Sequence, residues 1–331
     1  STLTENYINL INSQKYAMQM EVRDSLGATT AMYAAPATLS EMNFVAPAPV
    51  SKVVNKTIRV GENHAASIRC LSSKSNLAGM NPTDYPEMAR VSEGTTVRIP
   101  QDKLKEMISR VVFAIATEDN RQILTGCLLE VEPTEARLVA LDGFRLAIQK
   151  AVMPFELPGG KENVRVVIPG RVLNEMSKVL GDTDEYCTLV FDQSRMTASF
   201  GTTTLSTVLL TGEYIDYRKI LPASFRTTAL ADRVGVQNAI DRASLMAREG
   251  KNNLIRMSFS GDTLAISSNA ELGDVLEELE TELTGDPIEI AFNAKYITDV
   301  IRNITDEKLC MRFNSNVSPC VIAPQEGEDY L

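Results

Sequence analysis

Cysteine, histidine and carboxylates are the side chains from which this chain could build a reactive centre, and their spacing argues against most such centres. The five cysteines, Cys70, Cys127, Cys187, Cys310 and Cys320, are scattered and odd in number. None belongs to a C-x-x-C pair, so neither a zinc site nor a redox dithiol is spelled out, and thiols buried in a reducing compartment are expected. The single histidine, His64, would have to serve any Ser-His-Asp triad. It stands in a polar, turn-like stretch, where a solvated imidazole is the ordinary outcome. Gly160-Lys161 is followed by Glu162, not by the Ser or Thr of a phosphate-binding loop, and reads as a surface turn. Carboxylates gather at Glu271, Asp274, Glu277, Glu278, Glu280 and Glu282, a run that reads as a solvated face. The sequons at Asn55, Asn303 and Asn316 have no secretory signal beside them and are read as chance. Binding is favoured over catalysis.

The elements that would have to position these residues recur along the chain. Leu77–Tyr85 and Leu210–Tyr217 both read Leu-x-Gly, a spacer, then Asp-Tyr, with the Asp-Tyr pairs 132 positions apart. Thr96–Pro100 leads into a helical pattern over 101–115, and Thr228–Leu230 leads into another over 232–246. Val166–Gly170 leads into 171–180, and Ile288–Asn293 into 294–304. The first helix is set by Leu104, Met107, Ile108, Val111, Val112 and Ile115, a one-sided apolar stripe. Val236, Ile240, Ala243 and Ala247 set the later one. Between helices, alternating stretches such as Cys187–Phe191 and Met196–Phe200 flank the turn Asp192-Gln193-Ser194, as in hairpins. A repeat of about 130 residues is domain-sized, and helices segregated from hairpin-linked strands predict an α+β fold with antiparallel sheets.

At 331 residues the chain suits two or three domains. No stretch has the ~18 consecutive apolar residues of a membrane span, and no charged-then-apolar signal opens it; a cytoplasmic protein is expected. The chain does not open with Met, so its true N-terminus is expected to lie elsewhere. Its net charge of -10 argues at first sight against a nucleic-acid partner. The charge is unevenly spread, however. The four helical stretches carry a surplus of five positive charges, leaving fifteen excess negative charges for the rest. Helices tolerate Lys and Arg well, but one weakly basic surface inside an acidic shell is the sharper reading.

Several stretches together resemble the bacterial sliding-clamp family, the beta subunits of DNA polymerase III. They are Arg121–Gly126, Val139–Ile148 (VALDGFRLAI), Val166–Gly170, Gly212–Pro222 (GEYIDYRKILP), Ile240–Gly250 (IDRASLMAREG) and Ile288–Val300 (IEIAFNAKYITDV). The match is close from about Thr95 onward and thins before it to 58–88. The resemblance implies three similar domains, 1–94, 95–224 and 225–331, each with two helices packed on antiparallel sheets. The family's opening strand and helix are missing from the first domain, and its closing strand is cut at Tyr330-Leu331. Two chains would close head to tail into a ring around duplex DNA, with the helices lining the hole. Phosphate contacts carry no sequence information, so a weakly basic lining permits sliding. No cofactor, metal or membrane is implied. The ring would tether the replicative polymerase as a non-catalytic processivity factor, and ATP would be used by the separate clamp loader.

The same resemblance implies a pocket for short linear peptides of polymerases, clamp loader and repair polymerases. Carried over by motif, it comprises Leu124, Leu141, Gly143, Phe144, Arg145, Leu146, Ile215, Lys219, Ile220, Asn293, Tyr296, Val317 and Pro319. Many relatives have His at Phe144, Pro at Ile215 and Arg at Lys219, so a more apolar cleft is expected here. A DNA-facing loop matches Glu118, Arg121, Gln122 and Ile123, with feeble contact expected because Glu118 and Asp119 are acidic. A dimer contact matches Ser75 and Leu77 on one side and Leu245 and Met246 on the other, with Ser75 replacing a common aromatic. Two alternatives are a peptide-binding repeat scaffold that does not encircle DNA, and an enzyme using Asp142 or Asp216.

Overall fold

The computed structural model describes residues 19–23, 29–33, 42–44, 56–61, 64–84, 89–117, 119–157, 163–249, 253–325 and 330–331. The chain forms two compact units, Ser1–Met88 and Ala89–Leu331. In the first, β1 (Gln19–Arg23) pairs with β2 (Thr29–Tyr33). Strands β3 (Met42–Phe44), β4 (Lys56–Val60), β5 (Ala66–Cys70) and β6 (Ser73–Leu77) form an antiparallel sheet in that order. Its described residues hold strands and one short 3-10 turn, Pro82–Asp84; neither helix expected of the first domain is among them. Strand β6 closes the sheet as an edge, and its five residues are all exposed.

The second unit repeats one order of elements. Strand β7 (Thr95–Pro100) runs directly into helix α1 (Gln101–Val111). Strands β8 (Gly126–Glu132), β9 (Glu135–Leu141), β10 (Leu146–Val152) and β11 (Val164–Pro169) follow, and β11 runs into α2 (Gly170–Val179). Strands β12 (Tyr186–Phe191), β13 (Arg195–Phe200) and β14 (Thr203–Val208) end the first pass. The second pass has β15 (Thr227–Asp232), α3 (Arg233–Ala247), β16 (Leu254–Ser260), β17 (Thr263–Ala270), β18 (Gly273–Thr284), β19 (Ile288–Asn293), α4 (Ala294–Arg302), β20 (Lys308–Phe313) and β21 (Val321–Pro324).

Each helix begins where a strand ends. Pro100 and Pro169 supply a fixed φ just ahead of α1 and α2, while Asp232 and Asn293 cap α3 and α4 by accepting from Gly235 N and Lys295 N. The apolar stripe of α1 is buried at Leu104, Met107, Ile108 and Val111, as its spacing predicts, and the helix runs on into a 3-10 segment, Val112–Ala114, a common way for a helix to end. Two four-stranded sheets, β10-β9-β8-β11 and β14-β13-β12-β7, share a core with α1 and α2. In the second pass the long β18 joins both sheets into one of seven strands: Gly273–Glu280 pairs with β17, and Thr281–Thr284 with β15. The core of this pass packs α3 and α4 against Phe259, Phe313 and Met311. No described helix is long and apolar enough to cross a membrane.

Many of the helices' cations meet a carboxylate, but of the acids that follow only Asp182 and Glu277 lie outside the helices, so the helices keep a net positive charge. Lys103 and Arg110 meet Glu106, Lys105 meets Asp182, Lys178 meets Glu175, Arg242 meets Glu277, and Arg302 meets Asp241. These are mostly exposed pairs worth ~0–1 kcal/mol each, so the cations are screened at little cost in mobility.

Candidate functional site

The outer face of the β10-β9-β8-β11 sheet carries a second apolar layer: Leu128, Val139, Leu141, Ile148 and Val167, covered by Leu124, Tyr214 and Tyr217. At its edge the ends of β9 and β10 meet β19, α4, the segment Ile220–Pro222 and the loop Asn316–Ile322 around a cavity of about 520 Å³. The lining is largely aliphatic and aromatic, with Asn293, Asn316 and Ser318 as polar points and Arg145 as its one charged residue among the described ones.

The turn from β9 to β10 explains the Asp142-Gly143-Phe144-Arg145 motif. Asp142 Oδ1 accepts from the backbone N–H groups of Phe144 (2.9 Å) and Arg145 (3.1 Å), an Asx turn. Gly143 sits at φ +95°, a conformation that L side chains rarely adopt. The turn thereby presents Phe144, 81% exposed, stacked on Tyr296 of α4 with ring centroids 5.6 Å apart. Arg145 turns inward. Its Nε donates to Asp142 Oδ2 (3.0 Å), its Nη1 donates to Asp299 Oδ2 (2.6 Å), and the guanidinium lies over the rings of Tyr296 (4.9 Å) and Phe113 (5.3 Å). Burial alone would raise the Asp299 carboxyl, but hydrogen bonds from Arg145 and Lys295 outweigh it and hold the group below the usual carboxylate range. The one charged group of the lining is thus already neutralised.

Of the residues expected at the pocket, Leu141, Gly143, Phe144, Arg145, Leu146, Ile220, Asn293, Tyr296, Val317 and Pro319 line this cavity together. Leu124 and Ile215 instead pack in the layer behind it, and Lys219 is exposed and paired with Asp216 (3.2 Å). Sequence reasoning missed Phe113, Asp299, Val300 and Tyr330. For Asp299 a signal existed, its position four residues after Lys295 on a helix. Tyr330-Leu331 lies antiparallel beside β10, with Leu331 N and O bonded to Ile148 O and N.

Elsewhere, Glu118 lies outside the described residues. Arg121 and Gln122 are exposed on short 3-10 turns over Asp119–Thr125, broken at Arg121, and Ile123 is half-buried. Ser75 and Leu77 lie on the edge strand β6; Leu245 projects from α3 at 57% exposure, with Met246 half-buried beside it. The turn around Gly159-Gly160 and the sequon at Asn55 also lie outside the described residues. Cys127, Cys187 and Cys310 are buried, Cys70 and Cys320 half-buried, and burial raises the thiols of Cys187 (to about 12), Cys127 and Cys320. Of the two carboxylates named for an enzyme, Asp142 has its oxygens occupied by the turn it builds, and Asp216 is paired with Lys219. No cluster of three or more potential metal ligands occurs among the described residues.

Repeated strand-helix passes on antiparallel sheets, with a cleft between the two passes of the second unit, define the α+β DNA-clamp class. Residues 98–216 match the family model of the central domain of the DNA polymerase III beta subunit, and residues 218–330 that of its C-terminal domain. The Beta sliding clamp of Staphylococcus aureus is 31% identical over 284 residues, 85% of this chain and 74% of that one. The crystal structure of the DNA polymerase sliding clamp of Bacillus subtilis superposes with a TM-score of 0.76 at 32% identity, covering 83% of this chain and 73% of that one. A Pseudomonas aeruginosa sliding clamp bound to griselimycin gives a TM-score of 0.76 at 27% identity, covering 85% and 75%. The chain belongs to the DNA polymerase III beta subunit family, the sliding clamps.

Proposed function

We propose that this clamp works as a closed head-to-tail homodimer around duplex DNA, built of domains 1–94, 95–224 and 225–331 in each chain. The cavity beside Phe144 and Tyr296 docks short linear peptides of the replicative polymerase, the clamp loader and repair polymerases. The protein performs no chemistry of its own and acts in the cytoplasm. The observation that carries the peptide reading is the cavity itself: an apolar hollow of about 520 Å³ with a few polar points and no uncompensated charge. Such a hollow suits two or three apolar side chains of an extended peptide.

The closure reading rests on two edges of opposite charge. Among the described residues, Gly273–Glu280 of β18 pairs with β17 alone, and it carries exposed Asp274, Glu278 and Glu280 beside exposed Leu276. Edge strand β6 carries Lys74, and its neighbour β5 carries Arg69. The ion pair between Arg242 and Glu277 ties α3 to β18, so Leu245 lies close to the acidic edge. An edge left open in the monomer invites pairing with a complementary one, and β6 of one copy on β18 of another would bring Ser75 and Leu77 to Leu245 and Met246. Sedimentation velocity is expected to give a dimer. A monomer at micromolar concentration would count against closure. Loss of peptide capture in Phe144→Ala and Tyr296→Ala, combined with no retention of the wild type on DNA, would favour the scaffold alternative.

A further inference from the structure

Glu130 is a buried carboxylate, 7% exposed, in the middle of the apolar strand β8. It shares its sheet face with Leu128, two residues before it, and so points into the layer behind the cleft rather than into the main core. Its register partners on both sides are cations, Arg137 on β9 and Arg165 on β11. Arg165 Nε lies 3.4 Å from Oε1, whereas Arg137 stands off at 4.0 Å and is engaged by Glu132. The close contacts come from elsewhere. Tyr217 donates its hydroxyl to Oε2 (2.6 Å), and Arg218 donates through Nη1 to Oε1 (3.2 Å) and through Nη2 to Oε2 (2.9 Å). Burial would raise the Glu130 carboxyl, but these bonds hold it below its ordinary value.

Tyr217 and Arg218 belong to the segment that joins β14 to β15. This segment is bonded to the sheet at Leu210, whose N–H donates to Val167 O. Between Gly212 and Leu221 its backbone bonds are local, Lys219 N to Asp216 O and Ile220 N to Tyr217 O, and it is next tied at Ser224 and Arg226, which bond to Asn314 and Phe313. Its links to the sheet there run through side chains: Tyr214 Oη to Val139 O, and the Glu130 bonds. Just beyond Lys219, the residues Ile220, Leu221 and Pro222 are one wall of the cavity. A buried carboxylate is costly unless fully paired, and here its pairing fixes a stretch of chain that packs on the apolar layer but has few other hydrogen bonds to the sheet.

We propose that Glu130 is a positioning residue for the peptide cleft: it anchors the Tyr217-Arg218 turn and thereby sets the Ile220–Pro222 wall. The proposal rests on the peptide-cleft reading for its consequence but not for its mechanism, and two measurements on the full chain separate them. Hydrogen exchange reads the anchor directly. Glu130→Gln is expected to speed exchange of the Tyr214–Leu221 amides about tenfold, while α4 is unchanged, because a charge-assisted bond pair is weakened. Binding of a fluorescein-labelled uncharged hexapeptide with two leucines and one phenylalanine reads the consequence. Glu130→Gln should weaken capture about tenfold in the wild type and in Tyr296→Ala, but only about threefold or less in Ile220→Ala, whose wall is already lost. Tyr217→Phe should reproduce part of the effect without touching the charge. If Glu130→Gln does not fold, Arg218→Ala, at a half-exposed position, takes its place in both assays.

Unchanged exchange over Tyr214–Leu221 overturns the proposal, as does a penalty of equal size in the Ile220→Ala and Tyr296→Ala backgrounds. If the wild type captures no peptide at all, the cleft reading falls, and the exchange result alone decides whether Glu130 is the anchor.

Discussion

Replacing Arg145 by alanine removes the charged link between the Asp142–Arg145 turn and α4. The side chain gives one charge-assisted bond to Asp142 (3.0 Å) and one to Asp299 (2.6 Å), and it stacks on Tyr296 and Phe113. Breaking a buried pair by removing one partner costs ~3–5 kcal/mol. Both carboxylates keep other donors, however: Asp142 has the backbone N–H groups of Phe144 and Arg145, and Asp299 has Lys295 Nζ at 3.0 Å. The expected loss at pH 7 is therefore at the low end, about 3 kcal/mol. The pH dependence follows from Asp299, whose folded carboxyl lies below its ordinary value of 3.8. A depressed carboxylate stabilises the fold above the unfolded value and loses that contribution as pH falls through the folded one. The gap between wild type and Arg145→Ala should accordingly be full at pH 7 and shrink below about pH 4. Urea unfolding followed by circular dichroism at pH 7 and pH 3.5 measures it. A gap under about 1 kcal/mol at pH 7, or one of equal size at both pH values, would refute the assignment of this link.

Phe144→Ala should weaken capture of an uncharged aromatic hexapeptide by about two- to tenfold in fluorescence anisotropy, the worth of an aromatic pair, with unfolding unchanged because Phe144 is 81% exposed. Gly143→Ala should cost about 1 kcal/mol in thermal unfolding, since φ +95° strains any L side chain even though nothing lies within 4 Å of the added Cβ. Leu245→Asp should convert the proposed dimer to monomer in sedimentation velocity, because the exposed Leu245 would otherwise be covered by Ser75 and Leu77 of the second copy and a carboxylate there would lose its water. Cys127 and Cys187 should resist a thiol reagent in the native state and react on unfolding, since burial raises both thiols.

The helices were legible because their stripes are periodic and their starts are marked by strand-ending Pro, Asp or Asn. The α+β class followed from the hairpin spacing, and the family from ordered motifs such as Gly212–Pro222. Pairing was harder to read. Nothing in the acidic run Glu271–Glu282 announces that it belongs to a single long strand joining one seven-stranded sheet, since strand length depends on which neighbours arrive from elsewhere in the chain. The wall residues Phe144, Tyr296 and Val317 came from motif correspondence, whereas Leu124 and Ile215 lie one layer deeper, a difference of side-chain direction that spacing does not encode. Glu130 had a visible sign, a lone carboxylate inside the apolar run Cys127–Val131, but its partners lie about ninety positions away. The positive helices were counted correctly in sequence; the acids that meet Lys105, Arg242 and Arg302 come from other elements and appear only in the fold.

Topological retention on DNA tests the central claim most directly. The full chain, labelled and loaded by a clamp loader with ATP onto a nicked circular plasmid, should co-elute with the DNA on gel filtration. Cutting the plasmid once should release it, because a ring that holds by encirclement slides off an end. Retention that survives linearisation, or no retention on the circle under conditions that load a relative's clamp, would contradict encirclement.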